Sequence, residues 1–281
     1  MFEAAEFMPL YAHFFNISNL REIIYKKKPE FISNVLKNSG FWDYYRRDMT
    51  LLDVFNISYE LLLDKYRCEY VYKNRLLVHE LVEKKHPKLM NMFTEIYINK
   101  SKADMLVVNG TLTLYEIKTE IDNFTRLRNQ LEDYTKAVEK VYVVVPEKKL
   151  NALEKELEGF EQVGVLIMGD SHEMEIEEYR PACSDLEKIS QEHIFNTLNG
   201  QEIRKIFPDA EYQEAKKLFL EKSKKDCFEI FHKFLSKRKS YRQEFVSALP
   251  FSLKMAGFQV SKLTQKERGY FVDKIYQNFE R

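Results

Sequence analysis

Asp104 and the triplet Glu116-Ile117-Lys118 are the residues whose types and spacing could do chemistry. Glu-x-Lys alone says little, because it recurs at Glu83 to Lys85, Glu147 to Lys149 and Glu214 to Lys216 in a chain with 44 acidic and 44 basic residues. Only the copy at 116–118 ends an apolar run, Leu112 to Lys118, that reads as a strand. Side chains two apart on a strand share a face, so Glu116 and Lys118 project together, and a buried sheet has no structural use for both. Asp104 opens the preceding apolar run, and Asn109-Gly110 between the runs is a hairpin signal. Opposed residues in an antiparallel hairpin have a constant index sum, which for Asp104 and Glu116 is 220. A two-residue turn at Asn109-Gly110 makes that sum odd and sends the carboxylates to opposite faces, so the expectation is an odd-length turn or a bulge.

Two carboxylates at one point repel, and a divalent cation relieves the repulsion. The hard oxygens of Asp104, Glu116 and the Ile117 carbonyl suit Mg²⁺ or Mn²⁺. Such an ion polarises a phosphoryl oxygen and acidifies a bound water, while Lys118 orients that water or stabilises charge on the phosphate. That chemistry is phosphodiester hydrolysis.

Asp104, Asn109-Gly110, Tyr115-Glu116-Ile117-Lys118-Thr119 and Gln130-Leu131-Glu132-Asp133-Tyr134 together resemble the PD-(D/E)xK nuclease superfamily, the last element resembling the QxxxY of its RecB-like branch. Glu69-Tyr70-Val71-Tyr72-Lys73-Asn74, with Glu116 to Glu120 and Arg126-Leu127, is similar to an uncharacterised bacterial family within it. The resemblance covers residues 60 to 145. It implies a restriction-endonuclease-like core, a mixed central sheet flanked by helices, and a Mg²⁺- or Mn²⁺-dependent deoxyribonuclease. Asp104 and Glu116 would be metal ligands and Lys118 the catalytic lysine, with Gln130 and Tyr134 near the metal and the DNA backbone. The superfamily also uses a Glu on the helix before the sheet; Glu69 and Glu80 are both candidates, and Glu69 is preferred because it lies in the matched piece. Lys73 in that piece, and Arg126, are expected on nucleic acid, although Arg126 could instead pair with Asp122. The superfamily's Pro is absent, Lys102-Ala103 standing before Asp104.

The elements that must position these groups follow from periodicity. Residues 1 to about 90 read as helices, with a capping-box spacing at Asn19 to Glu22 and a helix from near Glu60 to His86 that Pro87 ends. Phe93–Ile98, Asp104–Val108 and Leu112–Lys118 read as a three-strand meander. Phe124, Leu127, Leu131, Tyr134 and Val138 form one helical stripe that Asp122 or Asn123 could cap. Val141–Val145, Val163–Met168 and Glu173–Glu178 complete the strands, with an acidic helix from Leu150 to Phe160. After Asp185 helical periodicity returns, broken at Pro208 and Pro250. The expectation is an α/β protein with three regions: 1–58 helical, 59–180 the nuclease-like core and 181–281 helical.

Composition sets the boundaries of the reading. With 8 Gly, 7 Pro and 44% hydrophobic residues, long helices and a packed core are expected, and disorder is excluded as the dominant state. Net charge is zero, so attraction to DNA must be local. A basic helix offers it: Lys222, Lys224, Lys225, Lys233, Lys237, Arg238, Lys239 and Arg242 interleave with Phe228, Phe231, Phe234 and Tyr241, and Lys237 to Lys239 are expected to touch the DNA backbone. The histidines lack HxH, HxxxH or HExxH spacing, which argues against zinc, and neither a Gly-rich phosphate loop nor GxSxG occurs. Three cysteines without a CxxC pair, an amino terminus without a basic secretory start and the lack of a long apolar run point to a cytoplasmic protein that avoids membranes. DNA is the expected partner, alone or with another protein or a second copy. The rival reading is a non-catalytic nuclease-like scaffold or DNA-binding protein in bacterial defence or a mobile element.

Overall fold

The structure is a computed structural model that describes residues 2–26, 28–44, 48–84, 91–238 and 240–279. The chain forms two compact units, a helical one from residues 1–85 and 241–281 and a sheet unit from residues 86–240. These units differ from the three expected regions. The helix thought to open the core belongs to the helical unit, and residues 181–240 join the sheet because their apolar faces cover it.

The helical unit begins with α1 (Met8–His13), α2 (Ile17–Tyr25), α3 (Glu30–Asn38), α4 (Leu51–Lys65) and α5 (Glu69–Val78), the last running into a π-helical turn at His79–Glu83. Two expectations fail here. Asn19 lies inside α2 rather than capping it, its amide donating to the His13 carbonyl at 2.7 Å. The single helix expected from Glu60 is broken at Tyr66–Cys68, where Arg67 Nε turns back to the Leu63 carbonyl at 3.0 Å. Its expected end at His86 and Pro87 lies outside the described residues.

The sheet unit holds β1 (Asn91–Ile98), β2 (Ser101–Val108), β3 (Leu112–Ile117), α6 (Leu127–Thr135), β4 (Lys140–Pro146), α7 (Leu150–Glu156), β5 (Gly164–Met168) and β6 (Ile176–Arg180). Then come α8 (Gln191–Thr197), α9 (Gly200–Ile206), α10 (Tyr212–Leu220) and α11 (Lys224–Lys237). The chain returns to the helical unit with α12 (Gln243–Ala248), α13 (Lys254–Val260) and α14 (Gln265–Ile275), and Asn74 of α5 ties this return down, donating to Phe251 O at 2.9 Å and accepting from Met255 N at 2.8 Å. No described helix is long and apolar enough to cross a membrane.

The six strands lie in sequence order in one mixed sheet: β1, β2 and β3 are antiparallel neighbours, β3, β4 and β5 run parallel, and β6 is antiparallel to β5. Leu106, Val108, Leu112, Leu114 and the alternate valines of β4 share one buried cluster with Leu127, Leu131 and Tyr134 of α6 and with Phe195, Phe219 and Phe231. Each fully buried side chain of this size contributes about 1.5–3 kcal/mol. That packing fixes α6 over the ends of β2 and β3.

The hairpin has the odd-length turn that a shared site requires. Met105 pairs with Tyr115 and Val108 with Leu112, an index sum of 220, leaving Asn109, Gly110 and Thr111 as a three-residue turn. Gly110 takes φ +95°, which costs glycine little. Continued by one residue, this register sets Asp104 opposite Glu116.

Candidate functional site

Glu116 follows Leu112 and Leu114 on alternate positions of β3, so it projects from the face covered by α6. Only 2% of the residue is exposed. A buried carboxylate needs donors, and three hold it: Lys118 Nζ and Gln130 Nε2, each 2.7 Å from Oε1, and the Tyr134 hydroxyl, 3.0 Å from Oε2. Lys118 also donates to Gln130 Oε1 at 3.0 Å, and Gln130 Nε2 lies 3.4 Å from the Tyr134 oxygen one turn along α6. Burial foremost, then the charge of Glu116 and its hydrogen bond, push the Tyr134 phenol far above its ordinary value, Asp104 adding to the effect. Tyr134 is therefore a fixed donor rather than a base.

Asp104 reaches the same place. Its Oδ2 accepts the Ile117 N–H at 2.8 Å, which brings Asp104, the Ile117 backbone and Glu116 together at the end of β3. The sequence reading missed a third acid of this unit, Glu95. The β1–β2 register has an index sum of 199 on either side of it, which sets Glu95 opposite Asp104, and their carboxylate oxygens lie within 4.8 Å. Glu95 has φ +57°, uncommon for a non-glycine residue within a strand, and it pairs with Lys102. A Glu interrupting the apolar run Phe93–Ile98, with an index sum matching Asp104, is the signal that could have found it.

The loop after Lys118 is held by its own polar groups. Asp122 Oδ2 accepts from Thr119 N at 2.8 Å and Thr119 Oγ1 at 2.7 Å. Asp122 is spent there, so it does not cap α6; the helix starts at Leu127, later than its apolar stripe suggests, with Arg126 as N-cap residue. Arg126 is exposed and has no side-chain partner among the described residues, so the pairing with Asp122 is not formed. Lys149 donates to the Asp122 carbonyl and lies 5.5 Å from the Phe124 ring centre. Burial lowers its pKa, with Lys148 and Lys118 acting in the same direction against Asp122 and Glu120.

Glu69 pairs with Lys73 at the start of α5 in the helical unit, and Glu80, 1% exposed on the π-helical turn, pairs with Lys84 at 2.7 Å. Lys237 is exposed in the last turn of α11. Arg238 is not a free grip: its fork is bound by Glu202 at 2.6 and 2.5 Å, and it donates to Thr197 O at 3.3 Å. Lys239 lies outside the described residues. Phe231 is buried in the sheet-unit core, so the aromatic side of α11 packs there.

A mixed α/β sheet with opposed carboxylates on neighbouring strands and a Lys-Gln-Tyr cluster under one helix defines the class of this protein. The chain belongs to the family described as Bacteriophage P4 protein cII, whose family model matches residues 63–256. No curated protein and no solved structure matches it.

Proposed function

We propose that the chain is a metal-dependent nuclease of PD-(D/E)xK type, of the RecB-like branch, that hydrolyses phosphodiester bonds in DNA within a phage or other mobile element. The register that opposes Asp104 to Glu116, with Lys118 beside Glu116, carries this reading. Membership of a phage protein family supports the setting.

The donor set fits a hard divalent cation: two carboxylates and a main-chain carbonyl, with no sulfur or imidazole among them. Asp104, Glu116 and the Ile117 carbonyl would hold Mg²⁺ or Mn²⁺, which supplies a polarised phosphoryl oxygen and an acidified water. Lys118 would stabilise charge on the phosphate or orient the attacking water. Gln130 keeps Glu116 and Lys118 aligned by bonding both. Tyr134, always protonated, holds the second oxygen of Glu116.

Plasmid cleavage with Mg²⁺ and Mn²⁺ tests the proposal. Asp104→Ala and Lys118→Ala should each slow it at least about 100-fold; unchanged cleavage by either variant would overturn the mechanism. A second reading, a non-catalytic scaffold, draws on Glu116 being fully bonded by the chain itself. Calorimetric titration with Mn²⁺ separates the two, because a scaffold binds none at these carboxylates.

A further inference from the structure

β3 and β4 are parallel neighbours, so the segments that follow them leave the sheet at the same end. Past the strands the chain turns at residues 119–122 after β3 and forms a 3-10 helix at Glu147–Lys149 after β4, and the Lys149 ammonium donates to the Asp122 carbonyl. That contact sets Lys149 against the loop that follows Lys118, near enough for the two ammonium groups to repel. There it forms no salt bridge among the described residues, although the Asp122 and Glu120 carboxylates are near enough to favour its charge. Its hydrogen-bond partner is a neutral carbonyl, Glu120 lies 3.8 Å from Lys148, and the Asp122 carboxylate is taken by Thr119. At the other end of this loop Arg126 is exposed and has no side-chain partner among the described residues. The two positive groups bracket the segment that follows the catalytic lysine, and neither is in a salt bridge among the described residues.

We propose that Lys149 and Arg126 form a clamp for the DNA backbone, gripping phosphates that flank the one cut at Asp104, Glu116 and Lys118. The identity of the polymer rests on the nuclease reading above. The lysine acts as a point charge held on the Phe124 face, and the arginine as a bidentate fork. Contacts of this kind position the substrate and are blind to its sequence.

The test is fluorescence anisotropy of a labelled DNA duplex with the full chain in EDTA, from 50 to 200 mM salt, beside cleavage with Mg²⁺. Lys149→Met and Arg126→Gln should each weaken binding about tenfold at the low-salt end and reduce the log–log salt slope by about 0.9, the loss of one phosphate contact. Lys149→Arg, which keeps the charge, should retain affinity and slope, and thermal melting checks that each variant is folded. Neutral variants that bind with wild-type affinity and slope overturn the clamp, as does a wild-type chain that binds no DNA. If Lys118→Ala stops cleavage while the clamp variants bind as wild type, the clamp is wrong and the nuclease stands. If the wild type cuts nothing but the clamp variants lose affinity and slope, the nuclease reading falls and the clamp stands.

Discussion

At the scale of single residues, the neighbours of Glu116 decide what it is. A carboxylate with 2% exposure has little water to turn to, and only Lys118 among its three donors brings a charge. The types and spacing of Asp104, Glu116 and Lys118 were legible because strand alternation is strict. Glu95 was legible only through its index sum with Asp104, because no residue type announces the positive φ at its position. A second polar cluster steadies α6 from outside the site: Asp133 accepts from Asn99 Nδ2 at 2.7 Å and Ser101 Oγ at 2.6 Å, and His193 Nε2 lies 3.5 Å away. Burial, then Lys136, lowers the His193 pKa, against the pull of Asp133 and Glu192. The native chain thus binds fewer protons here than the unfolded chain just below the ordinary histidine value of about 6.5. This contribution to stability is complete above that value and is lost as pH falls through the lower folded one. Melting temperature should therefore drop between pH 7.5 and 5.5, and His193→Gln should drop less than wild type. Equal drops would remove His193 from the account.

At the scale of elements, the site depends on the length of one turn. Deleting Thr111 would force a two-residue connection and shift β3 by one position, taking Glu116 off the α6 face and moving Leu112 and Leu114 out of the core. Two leucines at about 1.5–3 kcal/mol each make that a severe loss of stability as well as of activity. Thr111→Gly keeps the length and should keep both cleavage and the metal titration, while melting only slightly earlier. A deletion variant that still cuts DNA would show that the opposed register is not what the chemistry needs. Strand positions were readable because short apolar runs bounded by polar turns have few alternatives. Helix ends were less so, because Asn19 and Asp122, good caps by type, are spent on the His13 carbonyl and on Thr119. The matched piece around Glu69 carries packing as well: Tyr70 donates to Ser252 O at 2.7 Å, and Asn74 binds the same returning segment.

At the scale of the whole molecule, the division into units was hidden from the sequence because the helical unit is assembled from both ends of the chain, and local patterns do not report which distant segments meet. The division also alters the meaning of zero net charge. The helical unit has 20 basic against 16 acidic residues and the sheet unit 24 against 28. The unit that holds the acid-lysine cluster is thus net negative, and several of its cations are committed, Arg238 to Glu202 and Lys216 to Glu192. If the proposed nuclease reading holds, long-range attraction cannot deliver DNA to such a surface, and a few local contacts have to. Each phosphate contact contributes about 0.9 to the salt dependence of duplex binding, so the wild-type slope of log affinity against log salt should be shallow, on the order of −2 to −3. Anisotropy between 50 and 200 mM salt measures it directly. A slope steeper than about −6 would mean that six or more phosphates are neutralised at once, which Lys149, Arg126, Lys118 and Lys237 together are too few to do, and a broader basic surface would then have to replace the local clamp.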